Sequence, residues 1–489
     1  MAKITAVIDI GSNSVRMLIF QKTSRFGFFL LDEIKSRVRI SEASYQNGGY
    51  LQEAAMERAV AAISGFAAIA HSRKARKIIC VATSAVRDAP NRNDFLKRVQ
   101  RACGINIRVI DGEKESYYGG VAAANLLPLK EGVTVDIGGG STELALIENG
   151  QVKDTLSFQL GTVRLKELFF DGTPRIDEAR AYVQKELSAL PEHFKKTTLI
   201  GIGGTLRALA QAIIKRESYA LNVLHAYEYS LQKHGDFLNA IIETEKAEKL
   251  KKLGFKQDRF DVIREGLLIF TEIAKVLGAD NVMTSGVGVR EGVYLCDILR
   301  TTQGRFPEGF NPSVRSMMDR FDIDSKAAAY TRKTALKLFE ELKPLHGMTD
   351  EMKPYLAVAA KLAEIGVYVN FYKKSLHAFN IIFEGLDYGF THSERILISK
   401  LVRNQQKKVL SKYEPNSRLS RFLPKGDAVA WLSFILYVAS TVNTDRHFAD
   451  VGITIEGKDI RFHIDSKGAY LAKESLSGIK TPGKGRLLF

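Results

Sequence analysis

The sequence has no apolar run near the ~20 residues that a membrane-crossing helix needs; its longest candidates, such as Trp431 to Val438, are short. No membrane partner is therefore expected. The chain opens Met1-Ala2-Lys3-Ile4 and reaches the charged Asp9 with no signal-peptide core, so the expected location is cytoplasmic. Cysteine is scarce and odd in number. Cys80, Cys103 and Cys296 are far apart in apolar segments, with no Cys-x-x-Cys or Cys/His spacing, and are expected to be buried free thiols rather than metal ligands. Two common phosphate loops are also missing. There is no Gly-Lys-Ser/Thr, which excludes a P-loop, and Gly201-x-Gly203 lacks the third glycine of a dinucleotide fingerprint.

What is present is a chain of 489 residues, 45% hydrophobic and 26% charged, the composition of a globular protein. That length suggests roughly two to four domains. The formal net charge is +16. A field of that sign favours polyanions without choosing among them.

The most informative stretch is Val133 to Ile147. Asp136-Ile-Gly138-Gly139-Gly140-Ser141-Thr142-Glu143 reads as a β-branched strand, a glycine loop and a second strand. Glycine allows both a tight turn and close approach of main-chain N–H groups to an anion. The loop has an echo at Asp9-Ile10-Gly11-Ser12-Asn13-Ser14, and the offset from Asp9 to Asp136, 136 − 9 = 127, recurs from Ser14 to Ser141. Two matching loops a domain length apart point to two similar halves facing one cleft. Asp9, Gly11, Ser12, Asn13 and Ser14 in the first loop, and Gly138, Gly139, Gly140, Ser141 and Thr142 in the second, are the expected phosphate-binding residues. Two strand-to-glycine-to-helix junctions downstream, at Gly203 and Gly286, add helix N-termini that favour anions.

Strands and helices alternate through the first 300 residues or so, implying α/β domains with helices on mixed sheets. The spacing predicts, among others, helices over Asn93 to Ala102 and Asp177 to Lys195. Glycine and proline cluster from Gly304 to Pro312, which reads as a linker. Beyond it the periods are helical: Ser325 to Leu342, Tyr355 to Val369, Ser393 to Leu410 and Ala428 to Val442. A strand pair, Gly452 to Ile455 and Ile460 to Ile464, and a loosely ordered tail, Lys480 to Arg486, follow.

Several separate motifs then occur in one order: Asp9-Ile-Gly-Ser-Asn-Ser14, Ala82-Thr-Ser-Ala-Val-Arg87, Gly112-Glu-Lys-Glu115, Asp136-Ile-Gly-Gly-Gly-Ser-Thr-Glu143 and Gly288-Val-Arg290-Glu-Gly292. Together they resemble the exopolyphosphatase and guanosine pentaphosphate phosphohydrolase (Ppx/GppA) family, within the superfamily of acetate and sugar kinases, heat-shock chaperones and actin. The likeness is strong over about residues 3 to 300 and weaker beyond. It implies two actin-like (ribonuclease H-like) α/β domains around a cleft, at 1–125 and 126–303, a linker at 304–312, and a mainly helical, degenerate HD-like domain at 313–489.

The resemblance implies Glu115 as the catalytic base, with Glu113 as a nearby rival, since the family shows two adjacent acids where this chain has Lys114-Glu115. It implies Arg87 as a phosphate-contacting arginine, and Asp136 and Glu143 as essential acids. Carboxylates beside a phosphate loop would repel the substrate unless they held a divalent cation, so Asp136 and Glu143, with Asp9, are expected to serve Mg²⁺. Arg290 falls where family members meet a guanosine nucleotide.

In the helical region the HD metal pattern is eroded: Leu362-Ala363-Glu364-Ile365-Gly366 has Ala-Glu in place of His-Asp, which argues against a second hydrolase site. A basic run, Arg395, Lys400, Arg403, Lys407, Lys408, Lys412, Arg418, Arg421 and Lys425, reads either as a solvated face or as a track for a long polyanion. The expected activity is an exopolyphosphatase removing terminal phosphate from inorganic polyphosphate, able also to take the 5′-γ-phosphate of guanosine pentaphosphate. Guanosine tetra- and pentaphosphate and a second copy of the chain are the other expected partners, and nucleic acid is not. A preference for guanosine pentaphosphate, a sugar or acid kinase, and a non-catalytic polyanion sensor are the alternatives.

Overall fold

The computed structural model describes residues 3–244, 246–405, 418–442, 444, 446, 448, 450–464, 469–477, 479 and 481–489. They fall into two compact units, Met1–Phe310 and Asn311–Phe489.

The first unit is built on two sheets. One is five-stranded, in the order β3-β2-β1-β4-β5, from β1 (Ile4–Ile10), β2 (Val15–Lys22), β3 (Phe28–Ser36), β4 (Lys77–Ala82) and β5 (Ile107–Val109). The other is six-stranded, in the order β10-β11-β9-β6-β7-β8, from β6 (Gly132–Ile137), β7 (Thr142–Glu148), β8 (Gln151–Phe158), β9 (Thr198–Ile202), β10 (Tyr227–Ser230) and β11 (Asn281–Thr284). Each sheet starts as an antiparallel meander, β1-β2-β3 or β6-β7-β8, and then adds a parallel strand beside its first, β4 or β9. The repeated glycine loops are thus the first hairpin turn of each sheet. β1 and β6 carry near-continuous apolar side chains that are buried, because helices cover the sheets. This is the actin-like pair of α/β lobes that the sequence implies.

The lobes exchange helices. The helix Gly112–Leu126, which precedes the second sheet in sequence, packs on β7 and β8 of that sheet. Its glycines permit the approach: a Cβ on Gly120 would lie 2.7 Å from Val152 and 2.8 Å from Ala145. Conversely the helix Val289–Ile298 reaches back to the first sheet, where Tyr294 stacks on Phe20 at 4.2 Å and meets Phe28 edge-on. The two helices also touch, since a Cβ on Gly292 would lie 1.8 Å from the Tyr118 carbonyl oxygen. The segment 304–310, read as linker from its glycine and proline, packs within the first unit: Phe306 and Phe310 stack at 5.5 Å and both cap Phe26.

The second unit is mainly helical. Its helices Ser325–Glu341, Lys353–Lys361, Lys374–Gly385 and His392–Arg403 surround the nearly all-apolar Ala428–Thr441, which buries Leu432, Phe434, Ile435 and Leu436. The small sheet is β12 (Val451–Glu456), β13 (Asp459–Ile464) and a short β14 (Leu487–Leu488).

Several sequence expectations are corrected. The helix read over 177–195 ends at Leu187, and Pro191 opens a separate 3₁₀ turn, Glu192–Phe194. The helix read over 355–369 stops at Lys361, and the next turn holds Gly366, where a Cβ would lie 1.8 Å from the Lys374 carbonyl oxygen. The helix read to Leu410 is described only to Arg403. The tail is tied down: Leu487 pairs in parallel with Ile460, and Thr481 exchanges hydrogen bonds with Gly485. Of the three free cysteines Cys80 is buried, while Cys103 and Cys296 are half-buried. Among the described residues no helix is long and apolar enough to cross a membrane.

Candidate active site

The two glycine turns are the same turn. Gly11 N–H donates to the Ser14 carbonyl at 3.2 Å, and Gly138 N–H donates to the Ser141 carbonyl at 2.9 Å. They come close together in space, for a Cβ on Gly139 would lie 2.8 Å from the Ser12 Cβ. Between them opens a cleft lined by Asp9, Ser12, Asn13, Ser14, Asp136, Gly138 and Gly139, and by Glu115 at its side. Its cations are Arg16, Lys35, Arg37, Arg207, Arg259 and Arg290, a wall suited to phosphate oxygens.

Local chemistry sets each group. Asp111 caps the helix Gly112–Leu126 by accepting from Lys114 N–H at 2.6 Å, so the first helical turn carries Glu113 and Glu115 on different faces. Glu113 is exposed, whereas Glu115 lines the cleft. Gly112 is required there, because a Cβ would lie 2.2 Å from Ser157 Oγ. Gly203 sits at φ +80, and a Cβ on it would lie 2.3 Å from Asp136 Oδ1. The loop 138–140 is braced from below: Thr162 and Val163 N–H donate to the Gly138 and Gly139 carbonyls, each at 2.9 Å.

Arg87 Nη1 donates to Glu115 Oε2 at 3.2 Å and to the Ile110 carbonyl at 3.2 Å. It does not line the cleft, so its contact with the site runs through Glu115. Glu143 is buried, accepts from Ser157 Oγ at 3.0 Å, and is also hydrogen-bonded by Ser141. Arg290 lines the cleft and donates to Glu33 at 3.1 Å.

The carboxylates perturb one another. Burial first, and then Glu143, push the Glu115 carboxyl well above the usual range, with Arg87 opposing. Burial likewise raises Glu143, against the hydrogen bonds from Ser141 and Ser157. Asp136 is raised to about 6 by burial, against Arg207. Asp9 is raised by burial, against Arg290 and Arg16. Asp9, Glu115 and Asp136 line the cleft while Glu143 is buried and does not, and perturbed groups gathered in a cleft are the pattern common at functional sites.

Not every expected phosphate ligand faces the cleft. Thr142 is fully buried and donates to the Leu160 carbonyl at 2.6 Å, and Ser141 is buried beside Glu143; both stabilise the hairpin from inside. The N–H groups of Gly11 and Gly138 are spent within their own turns. Gly140 does not line the cleft either; its carbonyl accepts from Arg164. In the second unit Arg395 is buried, donating to the Phe383 carbonyl and facing Asp387, so it leaves the supposed basic track. Lys407, Lys408 and Lys412 lie outside the described residues.

Sequence reasoning missed Arg16, Arg207, Lys35, Arg37, Arg259 and Ser157. Arg16 was findable, since it pairs in register with Asp9 just as Glu143 pairs with Asp136. Arg207 lies in the first turn of the helix that opens at Gly203, where a charge meets the glycine junction.

The donor set suits a hard cation, because Asp9, Asp136 and Glu143 offer only oxygen and gain by neutralisation of their crowded charge. Among the described residues no three acid, histidine or cysteine side chains form a ready metal cage.

Known proteins share this architecture. A guanosine-5′-triphosphate,3′-diphosphate pyrophosphatase of Aeromonas hydrophila is 29% identical over 414 residues, covering 82% of this chain and 80% of that protein. A bifunctional 3-dehydroquinate synthase/phosphatase of Fusobacterium nucleatum is 32% identical over 298 residues, covering 57% of this chain and 44% of that protein. Among solved structures, the Aquifex aeolicus member of the Ppx/GppA family superposes with a TM-score of 0.54 at 28% identity, covering 62% of this chain and 99% of its own. Residues 311–479 match the family's domain III. Residues 18–301 match the Ppx/GppA phosphatase family itself, and the chain belongs to that family of phosphoric-anhydride hydrolases.

Proposed function

We propose that the cleft of the first unit removes the terminal phosphate of inorganic polyphosphate, and that the same cleft takes the 5′-γ-phosphate of guanosine pentaphosphate. The observation that carries the reading is Glu115, held by Arg87 at 3.2 Å on the wall of a cleft that is also lined by the two glycine turns.

The terminal phosphoryl group sits between the loops 11–14 and 138–139, its oxygens met by Ser12, Asn13 and Ser14 and by the cationic wall. Glu115 accepts a proton from water as the water oxygen bonds to the terminal phosphorus. The bond from that phosphorus to the bridging oxygen breaks, giving orthophosphate and a chain one unit shorter. Asp136 and Glu143, with Asp9, would hold Mg²⁺, which would supply positive charge to the phosphoryl oxygens. Arg87 favours the ionised form of Glu115, which burial and Glu143 oppose. Lys35, Arg37 and Arg259 extend positive charge along the cleft, which suits a substrate with several successive phosphates. Guanosine pentaphosphate is favoured by the name of the Aeromonas hydrophila relative and by the position of Arg290 on the cleft wall.

The test is phosphate release from long polyphosphate, guanosine pentaphosphate and ATP under identical conditions, for the wild type and Glu115→Gln. Loss of release in the variant is expected. A variant working at the wild-type rate would overturn Glu115 as base, and release from guanosine pentaphosphate alone would remove polyphosphate as substrate.

A further inference from the structure

Three polar side chains stand in one row across the second sheet. Asp136 on β6 is in register with Glu143 on β7, and Glu143 is in register with Ser157 on β8. Residues paired across neighbouring strands share a face, so all three lie on one side of the sheet, with Asp136 at the cleft. Ser157, at the other end of the row, is half-buried and lies outside the cleft lining. Two parts of the site nevertheless meet on it.

The first is the Glu143 carboxylate. Ser157 Oγ donates to Glu143 Oε1 at 3.0 Å. Glu143 is also hydrogen-bonded by Ser141, but Ser141 lies two residues away in the same hairpin and moves with it. Ser157 instead fixes the carboxylate from a separate strand, through a hydrogen bond to a charged group, which is the strong kind. The second is the helix Gly112–Leu126, which carries Glu115. Its first residue rests on the same serine: a Cβ on Gly112 would stand 2.2 Å from Ser157 Oγ and 2.3 Å from Ser157 Cβ. Glu115 follows three residues later, one turn along the helix, and its neighbour Ser116 donates to the Leu144 carbonyl on β7 at 2.5 Å. The turn that presents Glu115 is therefore seated on β8 at its start and on β7 at its end. The place of the Ser157 hydroxyl is thus tied to the place of Glu115, and of the charged groups around Glu115 the one that acts on it most strongly is Glu143.

We propose that Ser157 is a positioning residue for the phosphoryl chemistry, holding the Glu143 carboxylate at a fixed place relative to Glu115. The inference rests on the reading of Glu115 as base and adds to it the group that sets how its acidic neighbour stands. Ser157 acts through Glu143 and does not touch the substrate. Its loss therefore slows the chemical step and leaves the capture of polyphosphate as it was.

The experiment measures kcat and KM for phosphate release from polyphosphate by the full chain, for the wild type, Ser157→Ala, Glu143→Ala and the double variant. Ser157→Ala keeps the Cβ under Gly112, so it isolates the hydroxyl. Thr134→Val is the structural control: Thr134 is buried in the same sheet, and its Oγ1 accepts from Ala145 N–H at 2.9 Å, so an internal hydrogen bond is lost there too. Ser157→Ala should lower kcat about tenfold or more with KM within about twofold, the size of loss that a small misplacement of reacting groups produces. In the Glu143→Ala background the same substitution should cost less than about twofold, because its acceptor is gone. Thr134→Val should keep the wild-type kcat. The proposal is overturned if Ser157→Ala works at the wild-type kcat, or if it raises KM in place of lowering kcat. It is overturned equally if the cost is as large in Glu143→Ala as in the wild type, or if Thr134→Val loses as much kcat. None of these results bears on Glu115 as base, which Glu115→Gln decides separately.

Discussion

The hairpin between β1 and β2 and the hairpin between β6 and β7 close with the same Gly-to-Ser hydrogen bond, yet they differ two residues beyond the turn. Arg16 stands in register with Asp9, and Glu143 stands in register with Asp136. The first hairpin is therefore near charge balance, its aspartate facing Arg16 and Arg290. The second concentrates negative charge, because Asp136 raises Glu143 and both raise Glu115. One backbone device thus serves two electrostatic tasks. On the proposed reading the first half serves phosphate oxygens, and the second a cation and a base.

The sharpest break of that comparison is removal of the base on the acidic side. Glu115→Gln should lower kcat for phosphate release by about 10²–10⁴-fold with little change in KM. Glu143→Gln should cost roughly 10²-fold in activity, together with a weaker Mg²⁺ dependence seen by titrating the metal against the rate. The balanced side should respond differently: Arg16→Met should raise KM by about tenfold, as expected when a charged contact to substrate is lost, and alter kcat less.

The pH dependence gives a fourth test. Asp136 holds its proton up to about 6 in the fold, against an ordinary value of 3.8. The folded state therefore binds that proton more tightly than the unfolded chain, and stability falls as pH rises from about 4 to about 6, by on the order of 3 kcal/mol without metal. Melting curves in EDTA should show the fall, and Asp136→Asn should flatten it. Arg87→Gln should shift the acid limb of the rate profile to higher pH, because it removes the charge that opposes the rise at Glu115. The smallest effect belongs to Thr142→Val, which breaks an internal hydrogen bond to Leu160. It should cost about 1 kcal/mol in stability and leave KM unchanged.

The repeat of the two hairpins is legible because everything that makes it is local: β-branched strands and a glycine turn closed by a main-chain hydrogen bond three residues on. Arg16 and Arg207 were passed over because arginine is ordinary at protein surfaces. What distinguishes them is position, for Arg16 is held in register with Asp9, and Arg207 lies near enough to Asp136 to lower it. Thr142 was misread for the converse reason. Its hydroxyl type suits phosphate, but strand alternation turns it inward to Leu160. The segment 304–310 read as linker from composition, while its two phenylalanines find Phe26 far away in the chain.

The sequence by itself determined the strand and helix order, the paired glycine turns, the glycines at 112 and 203 and the helical second unit, since each rests on the preferences of neighbours along the chain. Only the tertiary structure decided which of Glu113 and Glu115 meets the cleft, that Arg87 reaches Glu115 across 28 positions, and that the lobes trade helices. It also decided the raised carboxylates and the contact of Ser157 with Glu143. Those properties depend on desolvation and on contacts between distant segments, and neither is set until the chain has packed.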